Sequence, residues 1–198
     1  MIRKNPIKAG LKEGKHYIGT FVKLSDPSTV EIISLIGFDF FIIDNEHTHM
    51  SKESMLALLR ASDISGIVPI VRIRQNNRSM ILQSLDAGGL GVMVPETSTR
   101  QDVEELINNS FYYPLGNRGF SPSHRAAGYG FMNGTEYANI ANENIMTIAY
   151  CETALGCYPA FYLVLNHTTF SQIKKGHSIN YSDGFYIGLL YAVPLVIS

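Results

Sequence analysis

Short apolar runs alternate with helical patterns along most of the chain, and this alternation restricts the possible fold more than any other feature. The clearest run covers residues 38–43 and is followed at once by the polar residues Asp44, Glu46 and His47. A continuous run rich in β-forming residues is typical of a strand that is buried on both faces of a parallel sheet. Repeated strand–helix units favour right-handed βαβ connections. The sequence therefore predicts an α/β fold with a parallel sheet.

The pattern predicts strand and helix five times in succession. Apolar runs predict strands over residues 17–24, 38–44, 67–73, 90–96 and 145–150. Capping residues and helical spacing predict helices after residues 25–27, 51, 77, 99 and 134. Residues 112–134 are predicted as an irregular but ordered segment, because a long loop rich in aromatic residues and arginine is more often functional than disordered.

Composition excludes several classes of protein. The 198 residues are enough for one domain with a sizeable core, and 45% are apolar. A net charge of -1 and the lack of a basic stripe argue against nucleic-acid binding. We expect no signal peptide and no membrane span. Two cysteines, Cys151 and Cys157, do not form a disulfide framework, which favours the cytoplasm.

Polar side chains follow several of the predicted strands at the point where each strand ends. They are Asp44, Glu46, His47, Arg72, Glu96 and Glu152. In a barrel such residues meet at one mouth, where they suit a reaction that passes through an anion with a metal as electron sink. Glu152 is the best candidate for a ligand of Mg²⁺ or Mn²⁺, because these ions prefer oxygen ligands.

Other interpretations of these residues remain open. Glu96 is better explained as a helix cap, and Arg72 has a structural alternative as the ion-pair partner of Asp44 or Glu46. We expect no lysine at a strand end, which argues against Schiff-base chemistry. Arg118 and Arg125 in the long loop are expected to approach the mouth or a neighbouring subunit, with ordinary surface arginines as the alternative.

The ordered set of motifs resembles the HpcH/HpaI aldolase family, which comprises metal-dependent class II pyruvate aldolases. The resemblance extends from about the N-terminus to Gly156. It rests on the motifs Asp44-x-Glu46-His47, Val71-Arg72, Leu85-Asp86-Ala87-Gly88, Gly91-Val92-Met93-Val94-Pro95, Tyr113-Pro114-x-Gly116-x-Arg118-Gly119, Arg125-Ala126 with Tyr129-Gly130, and Glu152-Thr153.

The resemblance implies a TIM barrel that acts on 4-hydroxy-2-oxo acids, of the 4-hydroxy-2-oxoheptanedioate or 2-keto-3-deoxy sugar acid type. It implies a divalent cation (Mg²⁺, Mn²⁺ or Co²⁺) and a homo-oligomer. The roles that it implies are acid/base for His47, partner of that histidine for Asp44, enolate stabiliser for Arg72, metal ligand for Glu152, and substrate binding for Arg72, Arg118 and Gly188.

The sequence departs from the family at Tyr150, where glutamine is common, and throughout its tail. Residues 157–198 carry only three charged side chains and no Pro-x-Asp-Leu motif, so the family's second metal ligand is missing. We therefore divide one domain into a family-like barrel portion, 1–156, and a divergent apolar tail, 157–198. The barrel is expected to be truncated or altered after the fifth to sixth strand, through either a reading-frame slip or genuine divergence.

Two functions follow. The first is a metal-dependent aldolase that cleaves 4-hydroxy-2-oxo acids to pyruvate and an aldehyde. The alternative is a catalytically impaired relic or binding module of the same fold. A lyase of CoA thioesters is a weaker third option, because the chain has no Gly-rich nucleotide loop.

Overall fold

Five parallel strands form one sheet in the order of the chain, β1-β2-β3-β4-β5. The computed structural model describes residues 3–150. The strands are β1 Gly19–Val22, β2 Phe40–Asp44, β3 Val68–Arg72, β4 Gly91–Val94 and β5 Met146–Ala149. The helices are α1 Pro6–Lys12, α2 Ser28–Ile36, α3 Lys52–Ser65, α4 Arg78–Asp86, α5 Arg100–Ser110 and α6 Gly134–Asn144. The long segment before α6 contains one short 3-10 turn, Arg125–Gly130.

The predicted alternation of strands and helices is confirmed, and local sequence signals explain where the helices begin and end. The Ser51 side chain accepts the N–H of Ser54 at the start of α3. Helix α2 ends at Gly37, which adopts a φ of 100°, a conformation that favours glycine. The strands are shorter than predicted. Strand β1 ends at Val22 rather than at residue 24, which changes the interpretation of the residue that follows it.

The two faces of the sheet belong to separate hydrophobic layers. Alternate residues such as Phe41, Ile43 and Val71 pack under the helices. Their neighbours Ile42 and Ile70 form the opposite layer together with residues of β4 and β5. Because side chains alternate along a strand, Asp44 and Arg72 lie on the same face as Ile42 and Ile70. We call this the inner face.

Helix α1 covers the N-terminal end of the inner face. Ile7 packs into the inner layer. The Asn5 amide donates to the carbonyl oxygen of Leu90, just before β4. The Lys8 ammonium donates to the carbonyl oxygens of Asn142 and Ile145 at 3.1 and 2.7 Å. Hydrogen bonds to carbonyl oxygens near the starts of the strands thus hold α1 against the sheet. The predicted site lies at the opposite, C-terminal ends of the strands.

The buried Lys8 should make the free energy of unfolding depend on pH in the alkaline range. Burial lowers its pKa to about 8, whereas an unfolded lysine titrates near about 10.4. Between these values the unfolded chain binds more protons, so the free energy of unfolding should rise with pH, by at most about 1.4 kcal/mol per pH unit. Denaturant unfolding of the parent and of Lys8→Met between pH 8 and 10.4 measures this slope. Parallel curves for the two proteins would contradict the prediction.

Helix α2 and the residues that flank β1 expose large apolar side chains. Ile18, Leu24, Leu35 and Ile36 are all more than half exposed, and Leu35 is 87% exposed. Within residues 3–150, β1 and β5 form the two edges of the sheet.

The predicted tail lies outside the described residues. None of the helices in the described part of the chain is long and apolar enough to span a membrane.

Candidate functional site

The central feature of the site is a bidentate ion pair between adjacent strand ends. The parallel register of β2 and β3 sets Asp44 opposite Arg72. Arg72 Nε donates to Asp44 Oδ1 at 3.1 Å, and Nη2 donates to Oδ2 at 2.7 Å. Asp44 is fully buried and Arg72 is 7% exposed. The ion pair between Arg72 and a carboxylate of β2 is therefore present, and the role of Arg72 in catalysis stays a prediction.

Arg72 is held by two further groups. Its Nη1 lies 3.0 Å from Glu46 Oε2, in a second ion pair. Its guanidinium packs over the ring of Phe21 in β1, 4.8 Å from the ring centroid. Two carboxylates and an aromatic face therefore fix the position of one cation at the C-terminal edge of the sheet. A guanidinium has five N–H donors, so these contacts leave donors for a ligand.

Asp44 organises the turn that follows β2. The backbone N–H groups of Glu46 and His47 donate to its Oδ1 at 3.2 and 3.1 Å. Burial alone raises the pKa of the Asp44 carboxyl. The hydrogen bonds from Arg72 and His47 and the positive charges of Arg72 and Lys23 outweigh burial and hold that pKa below its usual value. Asp44 is therefore a carboxylate at neutral pH.

The His47 imidazole points toward solvent and lies beside Glu46. Its side chain is 57% exposed, and Nε2 is 3.6 Å from Glu46 Oε2. Asp44 contacts only the backbone N–H of His47, because its side-chain oxygens face Arg72. The carboxylate nearest the imidazole is thus Glu46 and not Asp44, which corrects the expected pairing of Asp44 with His47.

A lysine does lie at a strand end, contrary to the sequence-based expectation. Lys23 is the first residue after β1, and its Nζ is 3.6 Å from Asp44 Oδ2. The expectation was wrong because the predicted strand continued to residue 24 and so placed Lys23 inside it. The charged side chain of Lys23 within an otherwise apolar run was the sequence feature that could have indicated the end of the strand.

Arg118 and Arg125, the two arginines in the segment 112–134, bind acidic residues near the N-terminal ends of the strands, at the end of the sheet opposite Asp44 and Arg72. Arg118 Nη2 pairs with Asp86 Oδ1 at 2.5 Å, and Arg125 pairs with Asp63 and with the carbonyl oxygen of Ala87. Asp63 and Asp86 lie near the C-terminal ends of their helices, beside the strand starts. Within one chain, therefore, Arg118 is not brought to Asp44 and Arg72. Its role in substrate binding stays a prediction.

Glu96 does not cap helix α5. Thr99 is the N-cap, and Thr99 and Asp102 form a reciprocal capping box. Glu96 instead turns the chain after β4 with a φ of 51°. This left-handed conformation costs a residue other than glycine about 1–2 kcal/mol. The preference for Glu96 as a cap was wrong because the capping box lies three residues further on.

The predicted metal ligand, Glu152, and the predicted substrate-binding Gly188 lie outside the described residues. Within residues 3–150 no three His, Cys, Asp or Glu side chains are grouped so that they could hold a metal ion. The carboxylates of Asp44 and Glu46 already face Arg72. Tyr150, at the position where the family commonly has glutamine, packs against the inner layer.

A cavity of about 430 Å³ lies near the Asp44–Arg72 ion pair, between the N-terminal parts of α3 and α4. Asn45 and Arg74 contribute to its wall, but Asp44, Arg72 and His47 do not. The rest of its wall comes from residues in and around α3 and α4, whereas Asp44 and Arg72 are on the inner face of the sheet. The cavity is therefore separate from the ion-pair group.

Comparison with known proteins identifies the family. The family model described as HpcH/HpaI aldolase/citrate lyase matches residues 17–161. The chain belongs to the HpcH/HpaI aldolase/citrate lyase family. The predicted resemblance is thereby confirmed, and the Asp44–Arg72 group lies within the matched part.

Relatives in this family are aldolases. The chain is 33% identical to 2-dehydro-3,6-dideoxy-6-sulfogluconate aldolase of Pseudomonas putida, over 73% of this chain and 56% of the relative. It is 32% identical to 5-keto-4-deoxy-D-glucarate aldolase of Salmonella paratyphi A, over 77% of this chain and 59% of the relative. The chain thus spans somewhat more than half the length of these curated relatives.

Solved structures of the family share the fold. The HpcH/HpaI aldolase from Desulfitobacterium hafniense matches with a TM-score of 0.72 and 28% identity, over 80% of this chain and 60% of that one. The citrate synthase SbnG matches with a TM-score of 0.70 and 32% identity, over the same two shares. The α/β fold with a parallel sheet is therefore that of HpcH/HpaI proteins.

Proposed function

We propose that this protein is a metal-dependent aldolase that cleaves 4-hydroxy-2-oxo acids to pyruvate and an aldehyde. The observation that supports this most is the group at the ends of β2 and β3. There a buried, rigidly held guanidinium lies beside carboxylates and an exposed imidazole. The aldolase relatives named above act on acid substrates of this general kind. We also propose that the five strands belong to a (β/α)₈ barrel, since they run in the order of its first five strands.

His47 is the proposed acid/base. Its exposed imidazole takes the proton from the C4 hydroxyl of the substrate. The C3–C4 bond then breaks, the C4–O bond becomes the aldehyde carbonyl, and the electron pair passes to C3 and the C2 oxygen as an enolate. His47 returns its proton to C3, directly or through water, to complete pyruvate. Glu46, 3.6 Å away, stabilises the imidazolium between these steps.

Arg72 is the proposed stabiliser of the enolate. A donor that is already fixed before the reaction loses no further order as negative charge develops on the C2 oxygen. The two hydrogen bonds to the Asp44 carboxylate and the ion pair with Glu46 hold the Arg72 guanidinium in a fixed position. In this scheme Asp44 positions Arg72 and the turn that carries His47, and does not itself exchange a proton.

The metal belongs to the proposal because HpcH/HpaI aldolases generally depend on a divalent cation. When bound, Mg²⁺, Mn²⁺ or Co²⁺ supplies Lewis-acid polarisation of the 2-oxo group. Glu152 is the residue of this chain that we propose as a ligand. In the sequence it follows the last residue of β5, Ala149, by three positions.

Metal binding tests the role of Glu152 separately from activity. One protein carboxylate with waters holds such an ion loosely, and a chelating 2-oxo acid supplies further oxygens. We expect pyruvate to strengthen Mn²⁺ binding, and Mn²⁺ to strengthen pyruvate binding by the same factor. Calorimetric titration of the parent and of Glu152→Gln measures both. Equal Mn²⁺ affinity in the two proteins would remove Glu152 as the ligand, and a lack of coupling would favour a catalytically impaired relic.

Turnover tests the aldolase itself. Pyruvate release from a panel of 4-hydroxy-2-oxo acids should require added Mn²⁺ or Mg²⁺ and should stop with a chelator. The condensation direction, pyruvate plus aldehyde, serves as a second assay, because the similarity to a citrate synthase favours carbon–carbon bond formation as a second candidate. A chain that binds pyruvate but shows no turnover in either direction would be a binding module instead.

A further inference from the structure

The cavity between α3 and α4 is lined in part by apolar side chains. Met50, Met55, Ile73 and Met80 contribute to its wall, and all four belong to the hydrophobic layer under the helices or pack against it. Three of them are methionines, whose unbranched side chains adapt to ligands of different shapes. The volume of about 430 Å³ lies within the range of about 300–1,000 Å³ that is usual for small-molecule sites. The cavity therefore suits the apolar part of a small organic ligand.

The charged residues of the cavity wall are both cations. Lys52 and Arg74 are exposed and line the cavity, whereas no aspartate or glutamate does. Neither cation forms an ion pair with any other of residues 3–150, and Arg74 uses only its Nε, which donates to the carbonyl oxygen of Asn45 at 3.0 Å. Glu53 follows Lys52 in α3 but is not part of the wall. The wall thus carries two positive charges that no carboxylate of the cavity neutralises.

The polar groups of the wall differ in whether they are available to a ligand. The caps Ser51 and Asn77 already accept backbone N–H groups from the first turns of α3 and α4, so the helix N-termini do not define the site. The side-chain Oδ1 of Asn45 is buried and has no hydrogen-bond partner among the described residues. Because Arg74 is hydrogen-bonded to the backbone of Asn45, this acceptor and the guanidinium belong to the same part of the wall.

We propose that this cavity binds a small organic anion with an apolar body, of the medium-chain carboxylic acid class. Its apolar chain contacts the methionines, and its carboxylate is attracted by Lys52 and Arg74. Neutral apolar compounds lack the second interaction, and short acids such as pyruvate lack the first. The cavity is separate from the Asp44–Arg72 ion pair, so this proposal does not depend on the proposed aldolase function and concerns a different ligand.

NMR of the whole chain with labelled methionine methyl groups tests this binding without measuring activity. Octanoate should shift the signals of Met50, Met55 and Met80 in a saturable way. It should leave Met93 unchanged, since Met93 lies on the inner face, in register with Arg72, and would report binding at the ion pair. Octanol, which has the same length and no charge, should bind more weakly by a factor on the order of 10, about what two exposed charges contribute together. Acetate and pyruvate should leave the three signals of the cavity unchanged.

A double variant separates the effect of charge from that of shape. Lys52→Gln with Arg74→Gln should bind octanoate as weakly as the parent binds octanol, and should bind octanol as the parent does. Lys12→Gln with Arg60→Gln is the matched control, because it removes the same charge from exposed residues outside the wall, and it should bind octanoate like the parent.

Four results would each overturn the proposal. They are equal affinities of the parent for octanoate and octanol, unchanged affinity for octanoate in the Lys52/Arg74 double variant, a shift of Met93 in place of the three cavity methionines, and the lack of any saturable shift. Because none of these measurements involves turnover, the aldolase assay and this test can fail independently.

Discussion

Arg72→Ala should lower both the stability of the protein and its rate of pyruvate formation. Removing the guanidinium leaves the buried Asp44 carboxylate without its bidentate partner and Glu46 without its ion pair. Breaking a buried ion pair from one side costs about 3–5 kcal/mol of folding stability. Loss of one preorganised donor to a developing oxyanion costs about 10²–10³-fold in kcat. Denaturant unfolding and a coupled pyruvate assay measure the two effects.

Two variants separate these effects. Arg72→Lys keeps the charge but not the planar fork, so we expect a smaller loss of stability than with alanine and a kcat still well below that of the parent. Arg74→Ala removes an exposed arginine two residues away, whose Nε donates to the carbonyl oxygen of Asn45, and should change both quantities little. Near-normal kcat in the folded Arg72→Lys and Arg72→Ala proteins would remove Arg72 from the mechanism.

His47→Ala should lower kcat by about 10²–10⁴-fold, the usual contribution of a general acid or base. We expect little change in stability, because the imidazole is more than half exposed and the backbone N–H of His47 still donates to Asp44. Added imidazole should restore part of the activity, since the open position leaves room for it. The free energy of unfolding and the rate, with and without imidazole, are measured on the same preparation.

His49→Ala provides the matched control for this variant. His49 is also exposed and lies two residues further along the same turn, but no contact joins it to Asp44, Glu46 or Arg72 in the described part of the chain. Its replacement should leave kcat within about 2-fold of the parent, as expected for a surface change away from the site. Equal losses in the two histidine variants would show that the turn matters and that the His47 imidazole does not.

The apolar periodicity was sufficient to predict the elements of the fold. A run such as 40–44 is apolar enough to be buried on both faces, and Ser51, Asn77 and Thr99 each cap the helix that follows. These are local effects of backbone sterics and side-chain hydrogen bonds, which nearby residues determine. Strand ends were less accurate, because the last residue of a strand depends on the neighbouring strand with which it pairs.

The sequence by itself determined the α/β alternation, the family and the clustering of Asp44, His47 and Arg72 at one edge. Only the tertiary structure decided which groups touch. Asp44 and Arg72 are 28 positions apart, and the register of β2 with β3 is what turns a possible contact into a bidentate pair. The register of β1 with β2 in turn brings Lys23, the residue after β1, to Asp44. Such pairings arise from side chains that meet across strands, and no local pattern in the chain encodes them.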